Sequence, residues 1–222
     1  MMLHCGDADL MVSGVSTHYS ESLRTILEVI GTAPGVRRVS GHYLVLLPKR
    51  VLVLADCAVN IGPDAEELAE IALLAADLAR SLGEKPRVAM LSFSNFGSVD
   101  HPLTRKVRRA AEIVKQRAPG LDIDGEMQLP IALDAELRRR YFPFSTLGDD
   151  ANVLVFPGLE SGNLALHLLQ RLGGAVPVGP ILLGTRFPAH VLQFGYSVEE
   201  VVNLTTVAAV QAAASRRTTE AS

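Results

Sequence analysis

Residues 51–91 read VLVLADCAVNIGPDAEELAEIALLAADLARSLGEKPRVAML, and the hydrophobic period changes twice within them. The β-branched and aliphatic run from Val51 to Val59 suits a buried strand. From Asp64 the spacing lengthens: Leu68, Ile71, Ala75, Leu78 and Leu82 recur every three or four residues, and Gly83 follows as a stop. Asp64 is placed to cap this helix, with Glu67 completing a reciprocal capping pair. A second apolar run, Arg87 to Phe93, returns to strand character. Strand, helix, strand in this order is the unit of an α/β fold.

The same grammar holds from residue 36 onward. Strand candidates are Val39 to Leu47, Val51 to Val59, Arg87 to Phe93, Leu121 to Asp124, Asn152 to Phe156 and Ile181 to Leu183. The 222 residues suffice for one large or two small domains, and 48% apolar with 20% charged residues is an ordinary globular composition. Eighteen glycines and twelve prolines are dispersed without a repeat, so they punctuate elements rather than form a linker. A formal charge of −3 speaks against a nucleic-acid partner. The one basic cluster, Arg105 to Arg109, reads as the solvated face of a helix. Cys57 lies in an apolar run and reads as a buried small hydrophobe, and the six histidines show no metal-ligand spacing, so no metal is expected. No stretch reaches the roughly 18 apolar residues of a membrane span, and the opening residues lack a leader pattern, so no membrane partner and a cytoplasmic location are expected.

Four loops, each carrying Ser, Asn or Gly, invite comparison: SFSNFGS (92–98), DGEMQ (124–128), FPGLESGN (156–163) and QFGYS (193–197). Loops of this kind gather at the carboxyl edges of strands in an open α/β sheet, where ligands bind. Three of them place these residues before a helix, which leaves backbone N–H groups able to hold phosphate or carboxylate. Plain helix capping accounts for the same residues, and both readings stand for Ser94, Asn95, Gly97, Ser98 and Asn163.

RVAMLSFSNFGS, DGEMQ, NVLVFPGLESGN, QRLGG, GPILLG and VLQFGYSVEEVVN, in this order, resemble the phosphate acetyl/butyryltransferase family, and GDADLMVSGVSTHYSESLR and LADCAVNIGPDAEELAEIAL fit it too. YFPFSTL and HVLQFG look most like the phosphotransacetylase-like domain fused to the carboxyl side of hybrid NADP-dependent malic enzymes. The resemblance implies an α/β fold of the isocitrate/isopropylmalate dehydrogenase type, three layers α/β/α in two subdomains. The first would be partial, from residues 1–29 and 179–222, and the second would span 30–178. About a hundred residues that precede GDAD in the family have no counterpart here. A cleft for CoA and acyl phosphate is implied, with acetyl-CoA or another acyl-CoA as ligand, no covalent cofactor and a homo-oligomeric state. A malic-enzyme catalytic domain or the missing amino-terminal segment is the implied polypeptide partner.

In active family members a Ser-Arg-Gly turn holds phosphate and a later carboxylate acts as base on the CoA thiol. Matched by position, these fall on Gln193, Phe194, Gly195 and Glu200, with Ser197 opening the following helix. Phe194 cannot neutralise phosphate, and loss of one well-placed donor costs about 10²–10³ in rate; acyl transfer is expected to be impaired. Phe96, Pro130 and Gly158 also stand where the family commonly has a charge. SVEE (197–200) doubles as a capping box, giving Glu200 a structural alternative. Thr17 and Arg24 lie in the segment used on the acyl-phosphate side, where Arg24 offers either a replacement charge or a helix-surface ion pair. The resemblance thus implies an acyl-CoA-binding regulatory or assembly module, with a working acyltransferase as the alternative.

Overall fold

The computed structural model describes residues 2–220. Its elements run α1 (Met2–Cys5), β1 (Met11–Gly14), α2 (Tyr19–Val29), β2 (Ser40–Leu47), β3 (Arg50–Ala55), α3 (Ala65–Ser81), β4 (Arg87–Leu91), α4 (Pro102–Arg117), β5 (Asp122–Met127), α5 (Leu129–Ala132), α6 (Ala135–Tyr141), β6 (Val153–Val155), α7 (Leu159–Leu172), β7 (Val176–Leu183), β8 (Ala189–Leu192) and α8 (Val198–Glu220).

Six strands form one sheet in the order β5-β4-β6-β3-β2-β7. The four from β3 to β5 are mutually parallel, whereas β2 is antiparallel to both β3 and β7. Alternate strand residues feed opposite faces. Val53, Ala55, Val88 and Met90 pack with α3, α4 and α8, while Leu52, Leu54, Ala89 and Leu91 pack with residues of α5, α6 and α7. The result is three layers, α/β/α. Helix α3 forms as its period requires: the Asp64 carboxylate accepts the Glu67 amide at 2.8 Å, and the Glu67 carboxylate accepts the Asp64 amide at 3.0 Å.

Three strand boundaries differ from the sequence expectation by three residues or more, each for a local reason. The β3 strand stops at Ala55 rather than Val59, because the Asp56 carboxylate accepts the amides of Ala58, Val59 and Asn60 and turns the chain. The β5 strand runs on to Met127 beside Leu91, and β7 begins at Val176, since Val176, Pro177 and Val178 already pair with β2. Two short strands, β1 and β8, lie outside the expected set. They pair in parallel as a separate two-stranded ladder, Met11 opposite Ala189 through Gly14 opposite Leu192.

The segments joining the two sheets travel side by side. Ala33 donates its amide to Gly184, Arg186 donates to Gly31, and Thr32 bridges Thr185. The Glu70 carboxylate of α3 accepts the amides of Arg37 and Arg38 and fastens this strap to the large sheet.

Candidate functional site

The carboxyl ends of the four parallel strands emerge along one edge in the order β5, β4, β6, β3. Helix α4, which follows β4, lies on one face of the sheet, and α7, which follows β6, lies on the other. The neighbouring strands β4 and β6 therefore mark the topological switch point, where open α/β sheets form their crevice. A cavity of about 380 Å³ sits there, lined by Ile61, Ser92, Phe93, Leu103, Pro157 and Gly158 among others. Gly158 precedes α7 without a side-chain cap, and a Cβ at this position would stand 3.0 Å from the Ile61 carbonyl oxygen.

The SFSNFGS loop is organised from beneath by Glu126, whose side chain is fully buried. This carboxylate accepts the Ser94 hydroxyl at 3.1 Å, the Gly97 amide at 2.7 Å, and Arg108 Nε and an Arg108 terminal nitrogen at 3.0 and 3.1 Å. Burial alone would raise its pKa; Arg108, the Gly97 amide and Ser94 outweigh that and hold it below the usual carboxylate range. The Val99 amide donates to Ser94 Oγ, and the Asn95 amide donates to Ser98 Oγ. Asn95 and Gln128 bond one another twice. Many of the loop's polar groups are thus already engaged within the protein. Phe96 adopts φ 47° and stacks on Phe142 and Phe144 at centroid distances of 5.1 and 5.2 Å. Its packing partners come from YFPF (141–144). Arg108, expected on a solvated face, is instead the cation that reaches the buried Glu126.

At the β3 end of the edge lies a polar junction between the two sheets. Asp56 accepts three backbone amides and the Asn60 side-chain amide, and burial pushes its pKa up against these four bonds. A Cβ on Gly162 would lie 2.4 Å from the Asp56 carbonyl oxygen, so only glycine lets α7 approach here; the adjacent Asn163 side chain extends to the Cys57 carbonyl at 3.5 Å. Tyr19, Tyr43 and Tyr196 meet at this place, and burial raises the pKa of all three hydroxyls. Tyr196 donates to the Gly179 carbonyl. Among the described residues the buried Tyr19 hydroxyl has no hydrogen-bond partner, a state that costs about 1–3 kcal/mol unless a water or ligand atom supplies one.

Tyr196 carries the QFGYS turn into this junction. Gln193 is half-buried, Gly195 turns the chain at φ 83°, and Phe194 between them is 84% exposed. One Glu200 carboxylate oxygen accepts both the amide and the hydroxyl of Ser197 at 2.8 Å, while the Glu200 amide donates to Ser197 Oγ at 3.3 Å. The reciprocal capping box is therefore formed, and it occupies the carboxylate matched to the family base. Thr17 pairs its hydroxyl with that of Ser22 at 2.6 Å. Arg24 is exposed on α2 beside Ser20, Leu23, Leu27 and Glu28, and has no ion pair among the described residues.

The sequence profile described as Phosphate acetyl/butaryl transferase matches residues 1–209. The chain belongs to that family. Phosphate acetyltransferase of Paracoccus denitrificans is 44% identical over 218 residues, covering 95% of this chain and 69% of the relative. The NADP-dependent malic enzyme of Escherichia coli is 43% identical over 213 residues, 96% of this chain but 28% of that enzyme. A phosphotransacetylase from Streptococcus pyogenes has a similar structure, with a TM-score of 0.91 at 41% identity over 95% of this chain and 65% of its own. This member of the phosphate acetyl/butaryl transferase family thus spans about two thirds of the length of these two transferases and under a third of the malic enzyme. Among its described residues no group of three or more His, Cys, Asp or Glu is arranged for a metal, and no helix is long and apolar enough to cross a membrane.

Sequence reasoning did not select Asp56, Tyr43, Tyr196 or Glu126. A single acid at the end of an apolar strand marked Asp56; the others have no local signal, because their partners lie on remote segments.

Proposed function

We propose that this phosphate acetyltransferase-like domain binds acetyl-CoA or a related acyl-CoA and serves as a regulatory or assembly module, with acyl transfer impaired. The observation that carries the reading is the QFGYS turn: an exposed phenyl ring stands at the position matched to the phosphate-binding guanidinium, and the carboxylate matched to the thiol base is held by Ser197. A benzyl side chain offers no donor to a phosphoryl oxygen, and the Ser197 hydrogen bonds tie one Glu200 oxygen to the helix start, leaving only the other to take a thiol proton. The crevice and the polar edge beside it remain as a seat for the ligand.

The proposed ligand contacts are Thr17, Arg24, Ser94, Asn95, Gly97, Ser98, Asn163, Gln193, Phe194, Gly195 and Ser197. Residues 1–29 with 179–222 form one subdomain in this reading and 30–178 the other. Likeness to the malic enzyme supports a malic-enzyme catalytic domain as partner, in a cytoplasmic homo-oligomer. Thermal denaturation with acetyl-CoA tests binding: ligand at about 100 times its dissociation constant stabilises a binding fold by about 2.7 kcal/mol. An unchanged melting curve at millimolar acetyl-CoA refutes it.

A second reading, a working acyltransferase, is favoured by identity above 40% to curated transferases and by the absence of an ion pair at Arg24 among the described residues. CoA release from acetyl-CoA and phosphate, at rates typical of enzymes and lost in Glu200→Gln, would establish it in place of the first.

A further inference from the structure

The crevice at the switch point between β4 and β6 is walled by side chains that the protein leaves uncovered. Ile61, Phe93 and Leu103 line it, and each is more than half exposed. Single exposed apolar side chains are commonplace, but three around one cavity mark a surface that a ligand covers. Phe93 is held in place from behind. Gln128 Nε2 donates to its carbonyl at 2.8 Å, Gln128 is itself fixed by its two bonds with Asn95, and the Phe93 ring meets His101 in a T-shaped contact at a centroid distance of 6.0 Å.

The loop that carries Phe93 is closed to an anion. Asn95 donates its amide to Ser98 Oγ, Phe96 to the Glu126 carbonyl, Gly97 to the Glu126 carboxylate, Ser98 to the Asn95 carbonyl and Val99 to Ser94 Oγ, so all five amides from 95 to 99 are engaged. Among the described residues no Lys or Arg lines the crevice. Lys106, about one turn beyond Leu103, is committed to the Pro157 carbonyl at 2.7 Å. The one charged lining residue is Glu160, which has no ion pair among the described residues. A carboxylate among apolar walls repels phosphate and accepts an N–H. At about 380 Å³ the cavity lies at the small end of ligand sites, which run from about 300 to 1,000 Å³.

We propose that this crevice seats the adenine ring of the acyl-CoA, stacked on Phe93 between Ile61 and Leu103, with its exocyclic amine donating to Glu160. Of the parts of the coenzyme, the purine alone is flat, apolar on both faces and furnished with an amine donor. The phosphates are anions, and the pantetheine arm has no ring to stack. An exposed phenyl ring fixed by its own backbone gives a base a platform already in place. This seat rests on the acyl-CoA reading above and brings in Phe93 and Glu160, neither of which belongs to the ligand contacts given there.

The test titrates the chain with adenosine and with purine riboside, which lacks the exocyclic amine, by saturation-transfer NMR, and with acetyl-CoA by calorimetry. Adenosine should bind at least fivefold tighter than purine riboside. Phe93→Ala should weaken both adenosine and acetyl-CoA at least fivefold, and Phe93→Tyr, which keeps a ring, should bind them as the parent does. Glu160→Ala, at an exposed site, should bring adenosine and purine riboside within twofold of each other. Overturning results are adenosine that does not bind, adenosine and purine riboside bound equally by the parent, or a preference for adenosine that survives Glu160→Ala. The two readings fail separately: acetyl-CoA that does not bind while adenosine binds as described sinks the acyl-CoA reading alone, whereas acetyl-CoA bound equally by the parent and Phe93→Ala sinks the adenine seat alone.

Discussion

Lowering the pH from 7 to 5 should destabilise this fold, because two imidazoles are buried in the neutral form. His42 and His190 are 0% and 1% exposed. Burial lowers their pKa from 6.5 to about 3 and about 4. His190 Nδ1 accepts the Leu182 amide at 3.2 Å, and His42 Nε2 shares a 2.6 Å bond with the Ser40 hydroxyl. With the folded pKa below the unfolded one, the unfolded chain takes up the proton first, so stability falls as pH drops through 6.5 and continues to fall until the folded values near 4 and 3 are reached. At pH 5 the medium is 1.5 units below the unfolded value, which at about 1.4 kcal/mol per unit gives about 2 kcal/mol for each histidine and about 4 for the pair. With a urea slope of about 2.5 kcal/mol/M, the midpoint should fall by about 1.5 M. Asp56, whose pKa burial raises, works in the opposite direction, so the decisive measurement is differential. Urea midpoints of the parent and His42→Gln across pH 7 to 5 should diverge in slope by about 2 kcal/mol. Equal slopes would refute the claim that His42 is held neutral by burial.

Other substitutions probe the site and its supports. Phe194→Arg should leave the melting temperature within a degree or so, since the ring is exposed, and should tighten binding of inorganic phosphate or CoA severalfold by calorimetry; weaker binding would contradict the assignment of this turn. Glu126→Ala should cost about 3 kcal/mol, at the low end for a broken buried ion pair because Arg108 stays partly hydrated, and should hasten proteolysis within residues 93–99. Arg138 is buried and donates to the carbonyls of Ile131, Ala132, Leu147 and Asp149. Arg138→Met should cost about 3–5 kcal/mol in chemical denaturation, and Arg138→Lys should recover little, since a single ammonium cannot reach both pairs of carbonyls.

The large sheet was readable because its strands and α3 keep one period long enough to detect, and because Asp64 and Glu67 announce a helix start in adjacent sequence. The β1 and β8 strands were not, since each has four residues and is a strand only by virtue of the other. The capping box at Ser197 and Glu200 was visible for the same local reason as that of α3. Glu126 gave the opposite impression: within DGEMQ it resembles a solvated loop acid, and Arg108 resembles part of a solvated basic run, so neither hints that they meet beneath Ser94. The tyrosine junction is similarly silent, because Tyr19, Tyr43 and Tyr196 belong to separate elements and gain meaning only where the two sheets face each other. For Phe194 the family resemblance implied a replaced charge, while the structure added that the ring is 84% exposed.

The strap between the sheets has a mechanical consequence. Since Gly31 to Ala33 and Gly184 to Arg186 are bonded to each other, the two crossings behave as one pivot rather than as independent tethers. Glu70 anchors the pivot on one side, and α8, which starts beside β8 and packs on α3 and β7, acts as a brake on the other. Tyr19 and Tyr196 lie on the side of the smaller sheet and the Asp56 turn on that of the larger, so a rotation about these bonded crossings would change their separation from a place remote from it.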